Sequence, residues 1–430
     1  MNHRPFAGGA AALVAIFLAA GPACRKAPAP APPSAWARPL RSVVFERTAA
    51  RRERGRYLAE GILQCFNCHS DRDSSKPGAP PVEGKKGAGH VWYDEPTRRL
   101  VSPNLTPDPE TGAGTWTDDM FARAIREGVG HDGRPLHPQM WYASFRSLSD
   151  EDVASVVVYL RTIPPVKNRL PPTRLAPGRR EGIQKNLHPL TEPVPAPDMS
   201  TPLLRGRYLA RVADCEGCHT AWEAPMIPGR FGGGNFIEIV ADKKLTAISR
   251  NLTPDPSGIP YYDDALFIEA IRTGRVRTRD LSPIMPWIVF RNLTDDDLRA
   301  LHAYLKSLLP VRHLVDTAEP EGLCPACGQK HGAGLVNHPQ ESRAIPVDPR
   351  ALAGSEGRYV FRDFSWTISR EGGKYFAEDG TGKKEILTED NRLFFTKSGV
   401  DVLELVRAPG GQVTGMIDRA FDDERTVKSK

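Results

Sequence analysis

The sequence predicts a multi-domain chain: two mainly α-helical units in tandem, then a small all-β unit of meander or barrel-like form. Three observations predict it. The pentapeptide Cys65-Phe66-Asn67-Cys68-His69 returns 150 residues later as Cys215-Glu216-Gly217-Cys218-His219, inside matching flanks. Each copy is followed by a helix signal with its own cap and proline stop. From about Arg358 the apolar period changes from helical to alternating.

The bulk numbers allow such a chain. Its 430 residues exceed the usual size of one domain. A hydrophobic content of 40% and a charged content of 26% are those of ordinary globular protein, and 40 prolines imply many loops and linkers. The net charge of +6 is spread along the sequence, with no basic stripe interleaved with aromatics, which excludes a nucleic-acid partner.

The N-terminus reads as an export signal over residues 1–24. His3 and Arg4 precede the apolar run Ala11–Ala20, which is too short to span a membrane. Of seven cysteines, six lie in C-x-x-C pairs, and Cys24 is the remainder. It stands where a bacterial lipoprotein carries its lipid, with plain cleavage near Ala23 as the alternative. The expected location is the periplasmic side of a bacterial membrane. Residues 25–50 form a Pro/Ala-rich linker, stiff and extended.

The first helical unit spans 51–168 and the second 201–312, with a Pro-rich linker at 169–200. Gly55-Arg56-Tyr57-Leu58-Ala59 matches Gly206-Arg207-Tyr208-Leu209-Ala210. Asn104-Leu105-Thr106-Pro107-Asp108-Pro109 matches Asn251-Leu252-Thr253-Pro254-Asp255-Pro256 and reads as a turn rather than a glycosylation site. Gly128 and Gly274 end matching stretches as helix C-caps. Ser149 caps a helix that opens Asp150-Glu151-Asp152, and Thr294 caps one that opens Asp295-Asp296-Asp297.

In each C-x-x-C-H, two cysteines are spaced to bond the two vinyl groups of a haem, and the adjacent histidine points at the iron. Cys65, Cys68 and His69, and Cys215, Cys218 and His219, are therefore the expected attachment residues for two covalent haems c. Met140 and Met285 each stand nine residues ahead of the final helix cap, on proline-containing loops. A thioether delivered there suits the second axial position of each iron, so the iron ligands read as His69 with Met140 and His219 with Met285. Met226, His90, His131 and His137 lack a counterpart in the other repeat, and His302 reads as a packed helix residue.

With these motifs in view, residues 51–312 resemble a tandem of class I cytochrome c domains. They are most similar to the cytochrome subunits of bacterial alcohol and gluconate dehydrogenases. The resemblance rests on the two C-x-x-C-H motifs, the N-L-T-P-D turns, and Met140 and Met285 ahead of their acidic helix starts. It implies that a Gly- and aromatic-bearing first helix crosses the last helix, with Gly55 and Tyr57 against Tyr159, and Gly206 and Tyr208 against Tyr304. It also implies redox partner proteins: a dehydrogenase subunit, an oxidase or another cytochrome.

Those subunits typically carry three haem motifs. Here the third C-x-x-C, Cys324 and Cys327 in the connector 313–350, is followed by Gly328. The open readings are a disulfide and a zinc site completed by His331 and His338.

The β-unit, residues 351–430, shows five or six short alternating runs and no grouped nucleophile or metal ligands. Through T-I-S-R-E-G-G-K-Y and G-Q-V-T-G-M it resembles the lipocalin-like domain of unknown function appended to some serine β-lactamase-like hydrolases.

The expected function is electron transfer with no catalytic residue. The alternatives are a dihaem peroxidase, which needs an open iron, and a haem-based sensor or scaffold.

Overall fold

The computed structural model describes residues 36–222, 229–239, 242–277, 279–315, 322–323, 330–331, 338–339, 345–360, 365–379, 382–388, 391, 393–396, 402–418 and 424–428. A helical N-terminal and middle region is followed by an all-β C-terminal region, a multi-domain α+β architecture.

The first repeat begins with α1 (Ala49–Tyr57), whose N-cap Thr48 accepts from the Arg51 amide, and continues through a π turn, Leu58–Ile62. Then come α2 (Cys65–Cys68), the hairpin β1 (His90–Asp94) and β2 (Arg99–Ser102), and α3 (Asp118–Glu127). A 3-10 turn, Pro138–Met140, leads into α4 (Tyr142–Phe145) and α5 (Asp150–Leu160). After α6 (Arg179–Lys185) the order returns: α7 (Pro202–Val212), α8 (Cys215–His219), hairpin β3 (Phe236–Ile239) and β4 (Asp242–Ile248), α9 (Asp264–Thr273), α10 (Trp287–Phe290) and α11 (Asp295–Lys306).

The expected caps are in place. Ser149 accepts from the Asp152 amide and Thr294 from the Asp297 amide, with three acidic residues in each first turn to meet the positive end of the helix dipole. Gly128 and Gly274 end α3 and α9 in the left-handed region, at φ 67° and 70°.

α1 packs across α5 and α7 across α11 at glycine contacts. A Cβ on Gly55 would lie 1.9 Å from the Ser155 carbonyl oxygen, and one on Gly206 equally close to that of Ala300. Tyr159 and Tyr304 close the same crossings, each Cβ 2.8 Å from the added atom. The buried apolar side chains of both repeats form one continuous cluster, from Leu58 and Ile62 to Leu301 and Leu305.

The two segments read as linkers contribute packed structure. The Arg38 guanidinium is buried and donates to both Asp119 oxygens at 2.8 Å and to Glu127 at 3.0 Å. The Arg41 amide joins Asp119 and the Phe45 amide joins Asp118. Ala37 packs with Val129, Tyr142 and, from beyond the first repeat, Ile183 and Leu187. Sequence pattern missed this because the contacts fall on isolated residues between prolines.

The β region is an eight-stranded antiparallel sheet in chain order, from Gly357–Val360 to Glu424–Val427. A bridge between Tyr359 and Lys428 brings the chain after the last strand back to the first, so the sheet curls on itself. Trp366, Ile368, Tyr375, Ala377, Ile386, Phe394, Leu403 and Met416 form its buried core. Eight strands exceed the five or six expected. Gly357–Val360, Gly382–Thr388 and Glu424–Val427 were missed, being short or carrying adjacent charges where alternation should show. Among the described residues no helix is long and apolar enough to cross a membrane.

Two outcomes test this packing. Gly55→Ala and Gly206→Ala should each destabilise the chain by about 1–3 kcal/mol or more, read as a lower thermal midpoint, because backbone must move to admit the methyl. Arg38→Ala, which strands buried Asp119 and Glu127, should expose residues 36–47 to limited proteolysis. Burial alone would raise the Asp119 carboxyl, but hydrogen bonds from Arg38 and the Arg41 amide outweigh it and hold it below its ordinary range. The stabilisation is therefore complete above about pH 3.9 and lost as pH falls through the folded value, so acid should release the same segment.

Candidate functional site

In each repeat the candidate site residues lie on three pieces of chain. The first is the short motif helix. Gln64 before α2 and Asp214 before α8 adopt left-handed backbone, φ 55° and 57°, which turns the chain sharply into the motif. Cys65, Cys68, Cys215 and Cys218 are half-buried free thiols. Cys65 and Cys215 lie against the main apolar cluster. Burial pushes Cys65 and Cys215 up to about 12, and Cys68 and Cys218 up to about 11. Thiols held protonated are poor nucleophiles, so neither pair has the character of an activated exchange dithiol.

The second piece is the N-L-T-P-D turn, which orients the histidine. His69 Nδ1 lies 2.9 Å from the Pro103 carbonyl oxygen and His219 Nδ1 lies 2.6 Å from that of Arg250. Those carbonyls immediately precede Asn104 and Asn251. The Asn104 side chain accepts from the Thr106 amide at 3.0 Å and hydroxyl at 2.7 Å and donates to the Val166 carbonyl at 2.8 Å. Asn251 repeats the set with Thr253 at 2.9 and 2.8 Å and Val311 at 2.7 Å. The two asparagines are buried, which fits the turn reading and leaves no room for a glycan.

With Nδ1 donating to a carbonyl, the free lone pair sits on Nε2, the tautomer a metal-binding imidazole needs. Burial drives His69 down to about 4, against an opposing effect of its hydrogen bond to Pro103. His219 is lowered for the same reason, so both rings are neutral at pH 7.

The third piece is the methionine loop. Met140 ends the 3-10 turn, and Met285 stands two residues before α10. Both are partly buried against the main cluster that also receives Cys65 and Cys215. Met140 is further packed by the cluster containing Ala37, Ile183 and Leu187.

The competing residues have other partners. His90 bonds Asp71 at 2.9 Å, His131 stacks on Trp116 at 4.4 Å, and His137 accepts from the Gln139 amide. His302 is fully buried, bonded to Asp264 at 2.6 Å and stacked on Phe267. His313, which the sequence did not single out, is buried with Nδ1 2.6 Å from the Gly232 carbonyl and ties the loop after the second motif. Its only signal was its position, shared with Asn168, which donates to the Ala88 carbonyl.

Met226, Cys24, Cys324 and Cys327 lie outside the described residues. The backbones of His331 and His338 pair with Gly322 and Leu314 in two separate two-stranded ladders. Among the described residues no three His, Cys, Asp or Glu side chains group to hold a bare metal ion. Each repeat holds one imidazole with Nε2 free, two half-buried thiols and one partly buried thioether, residue types that would suit a prosthetic group bringing its own metal ligands.

No protein-family profile matches the chain. It is 31% identical over 283 residues to a nicotinate dehydrogenase component of Pseudomonas putida, covering 61% of this chain and 22% of that protein. It is 28% identical to the cytochrome c subunit of the quinone alcohol dehydrogenase of Gluconobacter oxydans, covering 66% of this chain and 60% of the relative. Against a diheme c-type cytochrome of Cereibacter sphaeroides the identity is 29%, over 56% of this chain and 81% of the relative. The chain is a distant relative of the cytochrome c subunits of bacterial dehydrogenases. It spans less than two thirds of the length of the first two of these relatives. The relationship supports a general electron-transfer role.

Replacing Asn104 or Asn251 by Ala should leave buried backbone groups unpaired and free the carbonyl that orients the histidine. Each change should cost about 1–3 kcal/mol, read as a fall in thermal midpoint, whereas an exposed turn asparagine would cost far less.

Proposed function

We propose that the chain is an exported dihaem c-type cytochrome that relays single electrons, with two cytochrome c units at 51–168 and 201–312 and no catalytic residue of its own. The observation that carries this reading is the duplicated site: motif thiols, an imidazole tautomer fixed by a main-chain carbonyl, and a methionine loop, met in the same order in both repeats. Bound haem supplies an iron that gains and loses one electron.

The protein does the rest. Cys65 and Cys68, and Cys215 and Cys218, would hold the group covalently. His69 and His219 present Nε2, and the Pro103 and Arg250 carbonyls make each ring a stronger donor. Met140 and Met285 would supply the second protein ligand, which would close the iron to substrate and raise its potential relative to a second histidine. The apolar cluster against which Cys65, Cys215, Met140 and Met285 pack would shield part of the group from water.

The relatives' names support a catalytic dehydrogenase subunit as partner; an oxidase or a further cytochrome would serve as acceptor. Export, and a lipid anchor at Cys24, would hold the relay on the periplasmic membrane face. The C-x-x-C at Cys324 and Cys327 stays with a disulfide or a zinc site shared with His331 and His338.

The test is haem quantitation with absorption spectra of the purified chain. Two haems per chain and a far-red charge-transfer band of Met ligation are expected. Met140→Ala and Met285→Ala should each remove about half of that band. One haem per chain, an unchanged band in both variants, or native haem that binds carbon monoxide readily would overturn the reading, the last in favour of a peroxidase.

A further inference from the structure

The two repeats touch through a reciprocal set of polar contacts. Asp152, on the first turn of α5, is buried and receives both arms of Arg54 from its own repeat, at 2.8 and 3.0 Å. It also receives the hydroxyl of Tyr208, from the other repeat, at 2.7 Å. Asp297, the matching residue of α11, is buried and receives Arg205 from its own repeat and the Tyr57 hydroxyl from the other. The Thr294 amide donates to that tyrosine oxygen at 3.1 Å.

Residue i of one repeat thus meets residue j of the other, and the reverse holds, as in an isologous interface. The apolar contacts follow the same exchange. α10 lies against the π turn of the first repeat and α4 against α7. Gly78 admits Ile288, whose Cβ would be 2.8 Å from an added methyl. Asn292 donates to the Glu60 carbonyl at 3.0 Å. Ser144, four residues after Met140, donates at 2.5 Å to Asp214, the neighbour of Cys215.

We propose that Tyr57, Asp297, Tyr208 and Asp152 are positioning residues: a two-fold clamp that fixes the two candidate haem sites at one spacing and orientation. The proposal rests on the haem reading for its purpose, but the clamp itself is a property of the polypeptide. Each carboxylate is neutralised within its own repeat by arginine, so the tyrosine is the element that crosses. A tyrosine hydroxyl donating into a buried, charged acceptor is a strong, directional link that no rotation of one repeat against the other preserves. With the spacing fixed, an electron leaving a ferrous iron in one unit for a ferric iron in the other has no domain motion to wait for. One iron is oxidised, the other reduced, and no proton need move.

Spin labels on a keto-bearing non-natural residue at Lys167 and Lys306 report the spacing without using the chain's own cysteines; both positions are exposed. Pulsed dipolar spectroscopy should give one narrow distance in the full chain and a broad distribution when Tyr57→Phe and Tyr208→Phe are combined. In parallel, intramolecular electron equilibration after sub-stoichiometric flavin photoreduction should be independent of glycerol viscosity in the native chain and slowed by glycerol in the double variant. A broad distance or a viscosity-dependent rate in the native chain overturns the proposal, as does a double variant that keeps both native readings. The native-chain measurements decide even if the double variant fails to fold. Haem count and the Met band, recorded on the same samples, show separately whether the haem reading has failed.

Discussion

At Gly55 and again at Gly206, the first helix of a repeat presses so close to the last that a methyl group would lie 1.9 Å from a carbonyl oxygen. Much of each site hangs on that crossing. The first helix leads through a short connection into the separate motif helix, so its docking sets where the motif begins. The last helix opens on three acidic residues, and a short helix, α4 or α10, joins it to the methionine loop. A glycine-to-carbonyl contact leaves no slack along either axis, so the two helices dock in one register. The same first turn of the last helix then supplies the carboxylate on which the other repeat fastens, so one crossing serves both the site and the interface.

The parts governed by local chemistry were legible. Ser149, Thr294, Gly128 and Gly274 behave as caps because their side chains or left-handed backbones satisfy the nearest free peptide groups, within a few residues of themselves. The motif spacing and the repeated methionine are local signals of the same kind, and the single site per repeat they point to is part of the proposal. The crossing glycines agree with the resemblance. The tyrosines do not stop at their own repeat, however, because their hydroxyls reach Asp297 and Asp152 across the interface. A single sequence records which residues are amphipathic, but not which two surfaces will meet.

The N-L-T-P-D turns show the same limit from another side. Their turn character was readable from Pro and Asp, yet their purpose was not. The functional atom belongs to the residue before the motif, Pro103 in one repeat and Arg250 in the other, and any residue type has the carbonyl required. His313 and Asn168 likewise do one job with different side chains, so repeat position pairs them while residue type gives no signal. In the β region, strands such as Gly382–Thr388 escaped because Lys383, Lys384 and Glu385 break the alternation, while cross-strand pairing supplies the order the pattern lacks.

The central claim is that one chain holds two equivalent His/Met iron sites related by an internal two-fold. Anomalous diffraction at the iron edge from crystals of the native chain addresses it most directly. The account predicts two iron peaks, one between His69 Nε2 and Met140 Sδ and one between His219 Nε2 and Met285 Sδ, exchanged by the rotation that exchanges Tyr57 with Tyr208. A single peak, or an iron ligated by any other side chain opposite its histidine, would contradict it.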